Sequence, residues 1–249
     1  MEQTLKDRIA IVVGSSSGIG QAIAEEFAAR GAKVVVTGRR KERLENVVKG
    51  ITEAGGIASY YQIDITKEEE CKALIEDTAA KYGGLDILAN NAGVAMAATM
   101  EDLDAELWDR HYNTNIRALF FCTKYALPYL QKSKCGNIIF TSSMAAIKPF
   151  DQQFAYGSTK AAVSHFCRML AISYASKGVR VNAIAPGVID TDILAGAPDG
   201  YIQAIADGIP MKRLGKTQEI GKLAAFLASD DASYITGQVI ACCGGASLV

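Results

Sequence analysis

The chain has 249 residues, 49% hydrophobic and 21% charged, which suits a well-buried core and excludes a disordered or collagen-like polymer. Its 26 basic and 27 acidic residues leave a formal charge of -1 with no long run of one sign, which argues against a nucleic-acid surface. The apolar part of MEQTLKDRIAIVVGSSSG is broken too soon by Gly and Ser for a signal peptide or a membrane span, so the expectation is a soluble, cytoplasmic protein.

Short β-branched runs alternate with longer helical patterns along the chain, the pattern of a parallel sheet with crossover helices. A strand from Ile9 to Val13 runs into GSSSGIG, which opens a helix from Ile19 to Ala29. Glycines permit a tight turn and close backbone approach there, and a helix N-terminus offers amide donors to a pyrophosphate. The next strand, Lys33 to Thr37, ends in TGRR before a helix from Arg40 to Ala54. Where many NAD-binding folds carry an acid for the ribose 2′-hydroxyl, this chain has Gly38 followed by Arg39 and Arg40. A guanidinium suits a 2′-phosphate, so NADP(H) is favoured over NAD(H), with Arg39 as the clamp and Arg40 beginning the helix.

A third strand, Ala58 to Gln62, precedes Asp64 and a helix from Lys67 to Lys81, for which Thr66 is the expected cap rather than Asp64. A fourth, Asp86 to Ala89, leads to NNAG, and one long helix is expected from Ala105 to Gln131. The strand Asn137 to Thr141 ends at Ser142 and Ser143, before a helix from Phe154 to Ser176 with Val163, Phe166, Leu170 and Tyr174 on one face. That helix carries Tyr156 and Lys160, four apart and so on one side, where an ammonium can favour the phenolate of its neighbour. After a strand from Arg180 to Ile184, the stretch from Ile189 to Met211 reads as a long functional loop. A helix from Thr217 to Ala228 and a strand from Gln238 to Ala241 close the pattern. Seven strands fit one sheet, and no linker divides the chain, so residues 1–249 read as a single doubly wound α/β domain with a flap near 189–211. Six cysteines without a CxxC pair, and only His111 and His165 as imidazoles, predict neither a metal site nor a disulfide framework; Cys242 and Cys243 read as packing residues.

With the glycine turn, NNAG at Asn90 to Gly93, the Tyr156 and Lys160 pair, and Pro186 with Gly187 all in order, the chain resembles the short-chain dehydrogenase/reductase family over essentially its whole length. The resemblance implies a Rossmann-like fold and a catalytic set of Asn115, Ser143, Tyr156 and Lys160, with Ser142 the alternative serine. In carbonyl reduction Tyr156 would donate the proton and Ser143 would orient the substrate oxygen. Lys160 would bind the nicotinamide ribose and depress the Tyr156 pKa, and Asn115 would hold a water reaching Lys160. For the cofactor, the resemblance points to Gly14, Ser16, Ser17, Gly18, Ile19 and Gly20 at the phosphates, and to Asp64 and Ile65 at the adenine. It places Asn91, Ala92 and Gly93 along the ribose, and Pro186, Gly187, Ile189 and Thr191 at the nicotinamide.

Two positions depart from the family pattern. Val13 replaces a common Thr whose hydroxyl ties the glycine turn to NNAG, and Ser17 stands where many NADP-preferring members carry a base. In texture, including MKRLGKTQEIGKLAAFLASDDASYITGQ, the chain is similar to 3-oxoacyl-carrier-protein reductases, and Lys134 and Lys177 are candidate contacts for an acidic carrier. The other substrate classes are small ketones, sugars and hydroxysteroids, with Leu194, Ala195, Ala197 and Ile202 as apolar flap residues. A non-catalytic nicotinamide sensor is the alternative from another class; it would not need Ser143, Tyr156 and Lys160 together. Family members often pair long helices into dimers and tetramers, so a homodimer or homotetramer is expected, with Leu119, Phe120, Phe166 and Leu170 as compatible residues.

Overall fold

In a computed structural model, which describes residues 2–249 except 195, 197 and 199 and only the backbone of Ile193, seven parallel strands form one sheet. They are β1 (Ile9–Val13), β2 (Lys33–Gly38), β3 (Ile57–Gln62), β4 (Ile87–Asn90), β5 (Asn137–Thr141), β6 (Arg180–Pro186) and, last in the chain, β9 (Val239–Cys242). Their order, β3-β2-β1-β4-β5-β6-β9, reverses between β1 and β4, which opens a crevice at the carboxyl ends of those strands. The central strands are apolar on both faces because helices cover both; all five residues of IAIVV in β1 are buried.

On one face lie α1 (Gly18–Ala29), α2 (Lys41–Glu53) and α8 (Thr217–Ala228), packed through Ile23, Phe27, Leu44 and Ile220. α1 and α8 approach closely because Gly221 has no side chain: a Cβ there would lie 2.7 Å from the Ala22 carbonyl oxygen. The other face carries α3 (Glu68–Tyr82), α5 (Ala118–Leu130) and α6 (Phe154–Tyr174), with Leu74, Leu119, Val163 and Leu170 turned inward. Cys242 packs against the first of these cores, whereas Cys243 joins a third, smaller cluster with Met144, Ile209 and Ala246.

Three expectations need correction. The single helix expected from Ala105 to Gln131 is α4 (Ala105–Tyr112), a π-helical turn at Asn113–Arg117, and then α5. The Ala118 amide donates to the Asn113 carbonyl, five residues back, and the added residue turns Asn115 inward. The stretch expected as a loop contains helix α7 (Tyr201–Gly208), and its ends are pinned by a two-stranded sheet of β7 (Ile189–Asp190) and β8 (Gly215–Lys216). Asp86 is not a strand residue; its carboxylate accepts from the Ile9 amide at 2.8 Å and from the Ser133 hydroxyl at 2.5 Å. No helix among the described residues is long and apolar enough to cross a membrane.

Candidate active site

The carboxyl ends of the strands border a cavity of about 590 Å³, reached by every expected cofactor residue except Gly20. Gly20 is buried one layer behind, where a Cβ would collide with the Gly14 carbonyl oxygen. Gly14 has φ +75° and passes so close to Ala92 that a Cβ would sit 2.7 Å from its Cα. Close backbone approach therefore calls for glycine at both positions, and the left-handed backbone calls for it at Gly14 as well. Ser17, the N-cap of α1, makes no side-chain capping bond.

The hydroxyl missing at Val13 is replaced by other ties. The Asn91 amide donates to the Val13 carbonyl at 3.2 Å, and its side-chain Nδ2 donates to the Gly14 carbonyl at 3.0 Å. Thr141 Oγ1 then donates to Asn91 Oδ1 at 3.0 Å, fastening the turn to β5. On the other side the Gly14 amide donates to Thr37 Oγ1 at 3.2 Å, so the turn is held from β2, β4 and β5 together.

At the end of β2, Arg39 and Arg40 both border the cavity. Arg40 does more than start α2: its guanidinium donates to Ser16 Oγ at 3.1 Å and Ser17 Oγ at 3.2 Å. A base thus reaches Ser17 from a neighbouring element, at the position where the sequence itself lacks one. Neither Asp64 nor Thr66 caps α3, whose N-cap is Lys67. Instead the Thr66 amide and hydroxyl donate to Asp64 Oδ1 at 3.1 and 2.8 Å. Burial works against the Asp64 carboxylate, but those bonds and the charges of Arg39 and Lys67 outweigh it and hold the carboxyl below its ordinary value.

Across the switch point, Ser143, Tyr156 and Lys160 border the same cavity. Lys160 is 3% exposed; its Nζ donates to the Thr141 carbonyl at 2.8 Å and lies 5.7 Å from the centre of the Tyr156 ring. Burial lowers the ammonium pKa to about 8. The phenol, however, departs from the expectation that Lys160 would depress it. Burial raises the Tyr156 pKa, and a hydrogen bond with Ser143 is the opposing influence. The two serines separate cleanly. Both residues border the cavity, but Ser142 Oγ is bonded to the Lys160 carbonyl at 3.0 Å and to Ser164 Oγ at 2.7 Å, whereas Ser143 Oγ accepts from the Ala145 amide at 3.1 Å and meets Tyr156.

Asn115 does not border the cavity. Its Oδ1 accepts from the Val94 amide at 2.7 Å, and its Nδ2 donates to the Val94 carbonyl at 2.9 Å and to Thr159 Oγ1 at 3.1 Å. Thr159, whose hydroxyl also donates to the Tyr156 carbonyl at 2.7 Å, links this bracket to the tyrosine helix. His111 holds the adjoining loop, accepting from the Met96 amide at Nε2 while its Nδ1 meets the Leu107 carbonyl, which assigns the proton to Nδ1. Thr141, Thr159 and His111 escaped the sequence reading as site residues because their partners lie far along the chain: Thr141 meets Asn91 and Lys160, Thr159 meets Asn115, and His111 meets Met96.

Leu194 borders the cavity and Ile202 is exposed on α7; Ala195 and Ala197 lie outside the described residues. Lys134 and Lys177 precede β5 and β6, at the opposite end of the sheet from the cavity within one chain. The proposed subunit face also changes. Leu119, Phe166 and Leu170 pack on the sheet, and the outward apolar residues are Phe120 with Met169 and Ile172, the last 84% exposed.

A doubly wound sheet with a glycine turn after its first strand and a Ser, Tyr and Lys set across its switch point defines an oxidoreductase of the dinucleotide-binding type. A family model described as "Enoyl-(Acyl carrier protein) reductase" matches residues 13–247. The chain is 36% identical to cis-4-hydroxycyclohexanecarboxylate dehydrogenase of Sinomonas cyclohexanicum over 100% of both chains. It is 35% identical to the 3-oxoacyl-[acyl-carrier-protein] reductase FabG of Thermotoga maritima, covering 97% of this chain and 98% of that one. The crystal structure of gox2181 superposes with a TM-score of 0.94 at 28% identity, covering 99% of each. The chain belongs to the short-chain dehydrogenase/reductase family.

Proposed function

We propose that this protein is an NADP(H)-dependent oxidoreductase that interconverts a ketone and a secondary alcohol, with Tyr156 as general acid and base. The observation that carries the reading is the convergence of Ser143, Tyr156 and buried Lys160 on a cavity whose far end holds two arginines and no carboxylate at the end of β2. The whole chain serves as one dinucleotide-binding and catalytic domain, with the flap near 189–211 over the substrate side.

The residues fit the cofactor: Gly14 and Gly18 leave room at the uncapped start of α1, and a Cβ at Gly93 would come within 3.3 Å of Lys160 Nζ. The glycine turn would hold its phosphates, Arg39 and Arg40 a 2′-phosphate, and Lys160 its ribose. When bound, the nicotinamide supplies or accepts the hydride. Tyr156, kept protonated by burial, gives its proton to the carbonyl oxygen on reduction and takes it back on oxidation. Ser143 donates a hydrogen bond to the same oxygen as charge builds there.

The substrate reading is a ketone with an apolar body. Ile147, Phe150 and Phe154 are exposed on the segments flanking the tyrosine, and Tyr201 and Ile202 on the flap helix. The relative from Sinomonas is named for an alicyclic alcohol, which supports that class of substrate. A 3-oxoacyl thioester is the second reading, favoured by the 35% identity to the Thermotoga reductase; Lys134 and Lys177 lend it no support within one chain. The protein acts in the cytoplasm as a homodimer or homotetramer.

A panel of cyclic ketones, sugars, steroids and 3-oxoacyl thioesters with NADPH and NADH tests these points. Tyr156→Phe should abolish substrate-dependent NADPH oxidation, and Arg39→Ala should weaken NADPH far more than NADH. Full activity in the first variant refutes the acid/base role; equal losses for both cofactors in the second refute the 2′-phosphate clamp.

A further inference from the structure

We propose that Arg43 and Asp192 form a latch across the mouth of the cofactor cleft and that its opening limits how fast the cofactor leaves. Arg43 stands in the first turn of α2, and Asp192 opens the turn that follows β7. They are 149 residues apart in sequence, yet Arg43 Nη1 lies 3.1 Å from Asp192 Oδ2. Neither side chain has another hydrogen-bond or ion-pair partner among the described residues.

The position matters more than the pair. Asp192 borders the cavity, and Thr191 before it reaches within 3.6 Å of where a Cβ on Gly18 would lie. Arg40, three residues before Arg43, is bonded to Ser16 and Ser17 of the glycine turn. Arg40 and Thr191 therefore approach that turn from two walls of one cleft, and the Arg43 to Asp192 contact joins those walls. On the flap side, pairing of Ile189 with Gly215 and Asp190 with Lys216 anchors the chain as far as Asp190. Asp192 comes just beyond that anchor, so the ion pair fastens the leading end of the flap to the cofactor-binding helix.

The side chains are 47% and 75% exposed, so water and salt compete for them. Such a contact opens and recloses, so the latch slows the release of cofactor a few-fold without blocking it. Because it joins protein to protein, it acts alike on NADPH and NADH, unlike a clamp at Arg39 that reads the 2′-phosphate.

The inference rests on the nicotinamide reading above, and displacement kinetics separate the two. Dissociation of NADPH and of NADH is followed by stopped-flow fluorescence for the wild type, Arg43→Gln, Asp192→Asn and the double variant Arg43→Asp/Asp192→Arg. The single variants should release both cofactors about two- to five-fold faster, the range expected of an exposed pair. The charge-swapped protein should return NADH release to the wild-type rate, and raising the salt should speed the wild type more than the single variants. Unchanged rates in the single variants, an increase that the swap does not reverse, or an effect confined to NADPH would each overturn the latch. Binding of neither cofactor by the wild type would overturn the nicotinamide reading itself, and the latch with it.

Discussion

Lys160 shows how burial at a single side chain shapes both chemistry and stability. Its ammonium is held at about 8 against an ordinary value of 10.5 because burial strips it of water, even though the Thr141 carbonyl accepts its hydrogen bond. Between those values the unfolded chain binds more protons than the folded one, so stability rises with pH across that interval. Tyr156, raised by burial, contributes in the opposite sense only above its ordinary value of 10. The thiols of Cys122, Cys135, Cys167 and Cys242, also raised in the fold, act in the opposite sense above their ordinary value of 9, so the Lys160 contribution is read as a difference. In urea unfolding of the cofactor-free proteins the wild type should gain about 1–2 kcal/mol relative to Lys160→Met between pH 8 and pH 10. The same pH dependence in both proteins would show that Lys160 does not carry this titration. The tyrosine and lysine spacing was legible in the sequence. Their electrostatics were not, because desolvation depends on what the rest of the chain places around them.

At the level of elements, the π-helical turn does what a regular helix could not. It brings Asn115 against both backbone groups of Val94 and against Thr159, joining the loop after β4 to the helix that carries Tyr156. Asn115→Leu would remove three hydrogen bonds and leave the Val94 amide and carbonyl without that partner. A loss of about 2–3 kcal/mol in urea unfolding is expected, since buried polar groups lose their compensation. A loss under about 0.5 kcal/mol would show that the bracket contributes little. The strands and most helices could be read from their periods, since both faces of the sheet demand apolar residues. The turn at Asn113–Arg117 carries no local mark, because its cause is the Val94 backbone about twenty residues away. α7 was hidden for another reason: it lies in a Gly-, Ala- and Pro-rich stretch whose helical face covers no sheet.

For the whole molecule, the outer faces of α5 and α6 present Phe120, Met169 and Ile172 to solvent, whereas Leu119 and Leu170 are spent on the core. Exposed apolar residues of this kind suit a subunit contact. If the proposed homo-oligomer uses it, Ile172→Glu should place a charge in the contact and shift sedimentation velocity towards the monomer, with little change in the far-ultraviolet dichroism. An unaltered sedimentation coefficient would move the subunit contact away from α6. The charge placement of Lys134 and Lys177 likewise needed three dimensions: the sequence puts them after long helices, and only the sheet direction shows that those helix ends lie away from the cavity.

By itself the sequence determined the fold class, the glycine turn, the arginines at the end of β2 and the Ser, Tyr and Lys set, because each depends on local periodicity or on short motifs read in order. The tertiary structure alone decided that Arg40 supplies the base missing at Ser17, that Asn91 replaces the hydroxyl missing at Val13, and that Asn115 serves as a bracket behind the cavity. It alone brought Arg43 to Asp192. These contacts join residues far apart in the chain, and the geometry that selects them arises only once the sheet has closed the distances between its strand ends.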